Sequence, residues 1–367
     1  MPSTLQTVRV DLAQRSYDIE IGTGNLAHAG PFLKQCGLKD RGKVSQAIIF
    51  TDQNVQEPHA VKVAESLVGE SIEVAIVAVA PGEKSKAVEV AAGLWEGMLE
   101  LGADRKTVVV AVGGGVVGDL AGFIAATFAR GLRFLQIPTT LLAQVDSSVG
   151  GKVGINLAQA KNMVGAFLQP LGVLIDTATL DTLPKREYVS GLAEVLKYGV
   201  ILDAEFFADL EASVAKLVAR DPQTLARVIA RCCRLKAGVV QQDEREETGL
   251  RAVLNYGHTF AHAFEALAGY GELLHGEAVS IGMLCAARLA QRLGRVDAAF
   301  VARQKALTET LGLPIKVPKL DRGKVLSTMM HDKKVEHGKL RFILPTRMGH
   351  VELVGAIEPS DVKAAME

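Results

Sequence analysis

The sequence predicts an α/β domain over residues 1–180, built on a Rossmann-like parallel sheet, followed by a mostly α-helical domain over 181–367. Three observations carry this reading. Runs that are apolar at every position, such as AIIF (47–50), EVAIVAVA (73–80) and TVVVAV (107–112), alternate with helical stretches. That is the pattern of strands buried on both faces of a parallel sheet. After about residue 180 these runs stop and segments of 3.6-residue period take over. A glycine cluster, GGGVVGD (113–119), follows one of the apolar runs and opens a helix.

Taken in order, residues 5–22 alternate apolar and polar positions and read as a β-hairpin. The strand AIIF ends at Thr51 and Asp52, and 54–68 reads as a helix. EVAIVAVA closes at Pro81–Gly82, 84–101 is helical, and RFLQI (133–137) and GVLID (172–176) complete the strands. Between them 138–162 is too polar and glycine-rich for a core and reads as a long loop. Helical periods then cover 187–200, 203–219, 222–241, 255–268, 276–293 and 298–311. A second hairpin is expected over 339–354, and a short helix starts near Ser360.

Lys plus Arg and Asp plus Glu are both 41, so the formal charge is zero, which argues against a polyanion-binding surface and hence against nucleic acid. With 49% hydrophobic and 22% charged residues, the composition is that of a soluble globular protein. Cys36, Cys232, Cys233 and Cys285 form no CxxC pair and no disulfide framework, which favours a reducing cytosol. Early charges at Arg9, Asp11 and Arg15 exclude a secretory signal, and the apolar runs are too short for a membrane span. A cytoplasmic protein is expected.

Three of the eight histidines, His258, His262 and His275, fall within residues 254–282. Helical spacing puts His258 and His262 on one face. The break at ALAGYGELLHG lets a second helix start near His275, so two helix ends can aim imidazoles at one point, as a metal site needs. The alternative is a core histidine with a satisfied hydrogen bond, because this HxxxH lacks the internal Glu of HExxH. A carboxylate from elsewhere weighs toward the metal. GLAEVLKYG (191–199) supplies one: Glu194 and Lys197 stand at i and i+3 among apolar neighbours, where a buried charge needs a partner or a metal.

Other groups suit a nucleotide or an anion. GGGVVGD holds G-x-G-x-x-G at Gly113, Gly115 and Gly118, although no acidic residue ends a strand about 20 residues on, and a plain strand–helix turn is the alternative. Asp52, at the tip of an earlier strand, is the better candidate for a ribose, and PGEKSK (81–86) adds polar contacts. Asp146, Lys152, Lys161 and Asn162 lie in the glycine-rich 138–162 stretch, where two lysines suit a phosphate. Lys236 and Arg251 are cationic, and Arg251 can grip a carboxylate. Glu244, Glu246 and Glu247 read as a solvated acidic patch and HDKK (331–334) as a charged turn.

Over almost its full length the sequence resembles the 3-dehydroquinate synthases, members of the sugar-phosphate cyclases. The resemblance is carried by PGEKSK, GGGVVGDLAGFIAAT, IPTTLLAQVDSSVGGKVGIN, KNMVGAF, LPKREYVSGLAEVLKYG, DEREETGLRAVLNYGHTFAHAFE, LLHGEAVSIGM and KLRFILP. It implies an N-terminal NAD-binding domain, a helical metal- and substrate-binding domain, a homodimer, NAD+ and one divalent metal (Zn2+ or Co2+). By motif the metal ligands become Glu194, His258 and His275. His262 becomes a proton-transfer histidine rather than a ligand, and Glu247 a second proton acceptor. The cofactor contacts fall on Asp52, Glu83, Lys86, Gly114, Gly115, Asp119, Thr139, Thr140, Lys161 and Thr182. The substrate contacts fall on Asp146, Lys152, Asn162, Lys197, Lys236, Arg251, Asn255 and Lys334, with Arg130 offered across the dimer. This chain departs from the pattern at Val153, at LAQA before Lys161, and in DEREET, whose extra residue leaves Glu246 as an alternative to Glu247.

The implied reaction turns 3-deoxy-D-arabino-heptulosonate 7-phosphate into 3-dehydroquinate and phosphate, in the shikimate route to chorismate and the aromatic amino acids. Transient oxidation by NAD+, β-elimination of phosphate, reduction, ring opening and an intramolecular aldol are its steps. The nearest rival is another sugar-phosphate cyclase such as 2-deoxy-scyllo-inosose synthase, whose substrates lack the carboxylate that Arg251 with Lys236 would meet. A metal-dependent glycerol or alcohol dehydrogenase would have no use for a lysine-rich phosphate clamp. A nucleotide-sensing binding protein would leave Glu194, His258 and His275 without a purpose.

Overall fold

The computed structural model describes residues 5–38, 44–158, 160–269, 272–330 and 340–367. The chain forms two compact units: Met1–Leu183 with Pro222–Arg245, and Pro184–Asp221 with Glu246–Glu367. The chain first passes between the units at Leu183, and the segment 222–245 groups with the first unit although it lies among the C-terminal helices in sequence.

The first unit holds strands β1 (Gln6–Val10), β2 (Tyr17–Gly22), β3 (Gln46–Asp52), β4 (Glu73–Val79), β5 (Val108–Gly113), β6 (Arg133–Pro138), β7 (Lys152–Leu157), β8 (Ala160–Phe167) and β9 (Gly172–Asp176). Its helices are α1 (Ala29–Leu38), α2 (Val61–Gly69), α3 (Val88–Glu100) and α4 (Gly115–Thr127). Seven strands make one sheet in the order β1-β2-β9-β6-β5-β3-β4, antiparallel at β1–β2 and parallel elsewhere. Successive residues serve opposite faces. Val108, Val110 and Val112 join a core with Phe32, Val63 and Leu67, while Val109 and Ala111 join another with Leu94, Leu120 and Ile124. Both faces are buried, which is why the runs lack polar alternation.

One expectation is corrected here. The stretch 138–162 is not a structureless loop: it holds a helical turn at Ala143–Ser147 and the first strand of the β7–β8 hairpin. The hairpin brings Gly154 opposite Gly165, and a Cβ at Gly165 would stand 2.3 Å from the Val153 carbonyl oxygen. Glycines at that close approach erase the side-chain alternation by which a strand is read.

The second unit is helical: α5 (Lys185–Leu202), α6 (Ala204–Val218), α8 (His258–Ala268), α9 (His275–Arg292), α10 (Ala298–Thr310), α11 (Arg322–Met330) and α12 (Pro359–Ala364), with α7 (Pro222–Gln242) in the first unit. The hairpin β10 (Arg341–Arg347) and β11 (His350–Gly355) completes it. Six of the expected helical periods match α5 to α10 within a few residues, whereas α1 and α11 give no comparable signal. Among the described residues, no helix is long and apolar enough to cross a membrane. All four cysteines are buried thiols.

Candidate active site

Helices α5, α8 and α9 of the second unit bring three side chains together. Glu194 lies mid-helix on α5, fully buried, while His258 and His275 are the first residues of α8 and α9. His258 Nε2 lies 3.7 Å and His275 Nε2 3.9 Å from the same Glu194 oxygen, Oε1. The three ligand atoms all lie within 4.8 Å of one another. Tetrahedral zinc ligands at about 2.0–2.1 Å from the ion stand roughly 3.3 Å apart, so the set would have to contract by at most about 1.5 Å to close on an ion. Three protein ligands is also the number found at catalytic zinc sites.

The chemistry of the donors fits a divalent cation. Neither Glu194 oxygen receives a well-aligned hydrogen bond, and its nearest counter-charge is the buried Lys197 ammonium, one helical turn on. The ammonium lies against Oε2, which leaves Oε1, the oxygen that the two imidazoles approach, able to meet a further cation. Each imidazole is oriented through its other nitrogen. His258 Nδ1 is 3.2 Å from the Tyr256 carbonyl oxygen, and His275 Nδ1 is 3.5 Å from Glu265 Oε1. Such partners fix the tautomer and leave Nε2 for the metal. Burial disfavours the His275 cation, but the hydrogen bond and charge of Glu265, with the charge of Glu194, outweigh it and raise its pKa.

His262, which helical spacing pairs with His258, stays beside the triad. Its ring centre is 5.7 Å from that of His258 and 6.5 Å from that of His275. It is not among the converging donors. Arg251 is buried, with its Nε 3.7 Å from Glu246, whereas the neighbouring Glu247 is exposed. Asn255 ends the short helical turn Leu250–Asn255 just before α8. Lys334 lies outside the described residues.

In the first unit the glycine cluster performs as expected: β5 ends at Gly113, Gly114 is extended, and α4 starts at Gly115. Free N–H groups at that helix start suit a pyrophosphate. Asp52 ends β3 and turns its carboxylate onto the Asn54 N–H at 2.8 Å. Thr139 is buried with no hydrogen-bond partner for its hydroxyl, Thr140 Oγ1 accepts the Ala143 N–H, and Thr182 Oγ1 is 2.8 Å from His59 Nε2.

A second polar cluster joins several candidates. Lys86 is buried and donates to Asp119 at 2.6 Å and to the Asn162 side-chain oxygen, with Glu83 at 3.7 Å. Burial pushes the Asp119 carboxyl above its usual range, against the pull of Lys86. On α7, Lys236 donates to the Asp146 carbonyl oxygen at 2.6 Å and to its carboxylate at 2.8 Å. Lys152 and Lys161 lie on β7 and β8. Arg130 is exposed on a turn in which Ala129 and Arg130 both have positive φ, 49° and 67°. Two side chains outside the expected set stand out: Glu265, and Asn156 on β7, which donates to Glu83 at 2.8 Å.

Comparison with known proteins agrees with this geometry. The family described as 3-dehydroquinate synthase N-terminal matches residues 76–190, and 3-dehydroquinate synthase C-terminal matches 191–335. The 3-dehydroquinate synthase of Rhodopirellula baltica is 51% identical over 367 residues, covering 100% of this chain and 98% of that protein. Among solved structures, 2-deoxy-scyllo-inosose synthase complexed with carbaglucose-6-phosphate, NAD+ and Co2+ superposes with a TM-score of 0.87 at 28% identity, covering 98% and 99% of the two chains. The 2-epi-5-epi-valiolone synthase of Streptomyces hygroscopicus, with NAD+ and Zn2+ bound, gives 0.86 at 29%, covering 95% of each. The chain belongs to the 3-dehydroquinate synthase family.

Proposed function

We propose that this chain converts 3-deoxy-D-arabino-heptulosonate 7-phosphate to 3-dehydroquinate and phosphate, with NAD+ and one divalent metal, zinc or cobalt. The observation that carries the reading is the convergence of Glu194, His258 and His275, three residues remote in sequence, within 4.8 Å. When bound, NAD+ supplies a reversible hydride acceptor and the cation supplies Lewis-acid polarisation of substrate oxygen.

The chain's own residues account for the rest. Glu194, His258 and His275 would hold the cation, with Lys197 beside them. Gly114 and Gly115 at the start of α4 would take the pyrophosphate of the cofactor and Asp52 a ribose, with Glu83, Lys86, Asp119, Thr139, Thr140, Lys161 and Thr182 as further contacts. Lys152, Asn162 and Lys197 would clamp the phosphate, so that charge on the leaving group is met by fixed cations. Arg251 and Lys236 would take the carboxylate, with Asp146, Asn255 and Lys334 completing the substrate shell. His262 would move the proton next to the oxidised carbon, with Glu247 as a second acceptor, because an imidazole exchanges protons readily near neutral pH. Arg130 would act across a homodimer. Four buried thiols support a reducing, cytoplasmic setting.

A cyclase acting on a sugar phosphate without a carboxylate is the second reading, favoured by the structural match to 2-deoxy-scyllo-inosose synthase. Buried Arg251 weighs against it, since a guanidinium is suited to grip a carboxylate through two parallel hydrogen bonds. The test follows phosphate release from the heptulosonate phosphate and from an aldose 6-phosphate, with and without chelator and NAD+. Release from the heptulosonate phosphate alone, lost on removing metal or NAD+, is expected. Release that survives both removals in stripped protein refutes the reading, and net NADH accumulation identifies a dehydrogenase.

A further inference from the structure

Asn156 makes three hydrogen bonds that tie together two segments of the first unit. Its side-chain amide donates to Glu83 Oε1 at 2.8 Å, and its side-chain oxygen accepts the backbone N–H of Asn162 at 2.8 Å. Its own backbone N–H donates to the Lys86 carbonyl at 2.8 Å. The pairing of β7 with β8 is irregular between Ile155 and Leu157, so Asn156 sits where the ladder is interrupted. Interruptions of this kind re-aim a side chain and recur beside active sites. Asn162, at the far end of one of these bonds, has φ of 54°, a left-handed backbone that its pinned N–H helps to hold. Its side-chain oxygen in turn accepts from Lys86, which also donates to Asp119. A closed polar circuit results: Glu83, Asn156, Asn162, Lys86 and back.

We propose that Asn156 is a positioning residue that locks the turn carrying Glu83 and Lys86 to the strand carrying Asn162, so that the cofactor-side and phosphate-side groups are set as one unit. This rests on the roles given above to Glu83, Lys86 and Asn162. Asparagine suits the task because its short planar amide offers a donor and an acceptor on one rigid group, and both are used. Aspartate keeps the shape and the acceptor but faces Glu83 with a second carboxylate.

The test is a side-chain exchange. Asn156→Asp is expected to raise KM for NAD+ and KM for the sugar phosphate together, each by about 10-fold or more, as for loss of a hydrogen bond to a charged group. The far-ultraviolet spectrum should stay unchanged. Adding Glu83→Gln restores an amide–carboxylate pair with the roles reversed, so the double variant is expected to lose clearly less than the product of the two single effects. Equilibrium titration with NAD+ gives the same ranking without turnover. The proposal is overturned if the double variant equals the product of the single effects, or if Asn156→Asp leaves both KM values alone. Should Asn156→Asp not fold, Asn156→Ser must show the same joint rise, and a rise confined to one ligand overturns the proposal. If the unaltered protein binds no NAD+, the functional reading fails instead.

Discussion

His275 is held on both sides, with Nε2 toward Glu194 and Nδ1 toward Glu265. Glu265 is buried on α8, seven residues after His258, and nothing in the local sequence marks it, because its partner begins a different helix. A carboxylate on the far nitrogen of a metal-binding imidazole fixes the ring and makes it a stronger ligand. Its loss typically lowers metal affinity 10–100-fold. Glu265→Gln, which keeps the shape and an acceptor oxygen but removes the charge, should therefore weaken zinc binding about 10-fold and Glu265→Ala about 100-fold. Competition with a chromophoric chelator measures both. A dissociation constant unchanged in Glu265→Ala would show that Glu265 is only a buried acid. The converging donors were half legible. Spacing brought out His258 and the helix start at His275, and burial logic brought out Glu194, but spacing also favoured His262, which lies beside the donors rather than among them.

At the scale of elements, the site depends on how closely α9 approaches α5. The Gly276 N–H donates to the Ser190 hydroxyl at 3.1 Å, and a Cβ added at Gly276 would stand 1.9 Å from the Ser190 carbonyl oxygen. No rotamer relieves a clash between two backbones, so α9 must retreat and carry His275 away from Glu194. Gly276→Ala should lower Tm by about 2–10 °C, the overpacking range for a unit of this size, and weaken metal binding with it. Gly93 on α3 is the control: a Cβ there meets nothing within 4 Å, so Gly93→Ala should raise stability by about 0.5–1 kcal/mol. Differential scanning calorimetry reads both. Equal shifts of the same sign would refute the packing argument. The helices around this contact were legible because their periods are long and uninterrupted. The β7–β8 hairpin was not, because Gly154 and Gly165 face each other where a strand normally shows side chains.

At the scale of the whole chain, the 3.6-residue period identified α7 as a helix but could not say which unit it joins, since a period reports a buried face and not what buries it. The answer lies in contacts remote in sequence. Arg15, in the first hairpin, grips Glu244 with two hydrogen bonds, of 3.1 Å and 2.7 Å, and Gln169 adds a third at 3.0 Å. Glu244 thus departs from the solvated acidic patch expected of it. The Arg15 hydrogen bonds hold its carboxyl below the usual range, partly opposed by burial and aided by Gln169. With a lower pKa folded than unfolded, Glu244 makes the unfolded chain bind more protons, so its stabilisation is complete above the unfolded value of about 4.3. It is lost as pH falls through the folded value. Because the Arg15 side chain is 57% exposed, solvent screening limits the effect to about 0.2–1 kcal/mol. Glu244→Gln should lower the urea midpoint of the first unit near neutral pH, and the deficit should shrink as pH falls below the unfolded value and through the lowered folded one. Salt near 1 M should shrink it too, since the screening length there is about 3 Å. A deficit independent of pH and salt would mean that Glu244 holds α7 through packing rather than through its ion pair with Arg15.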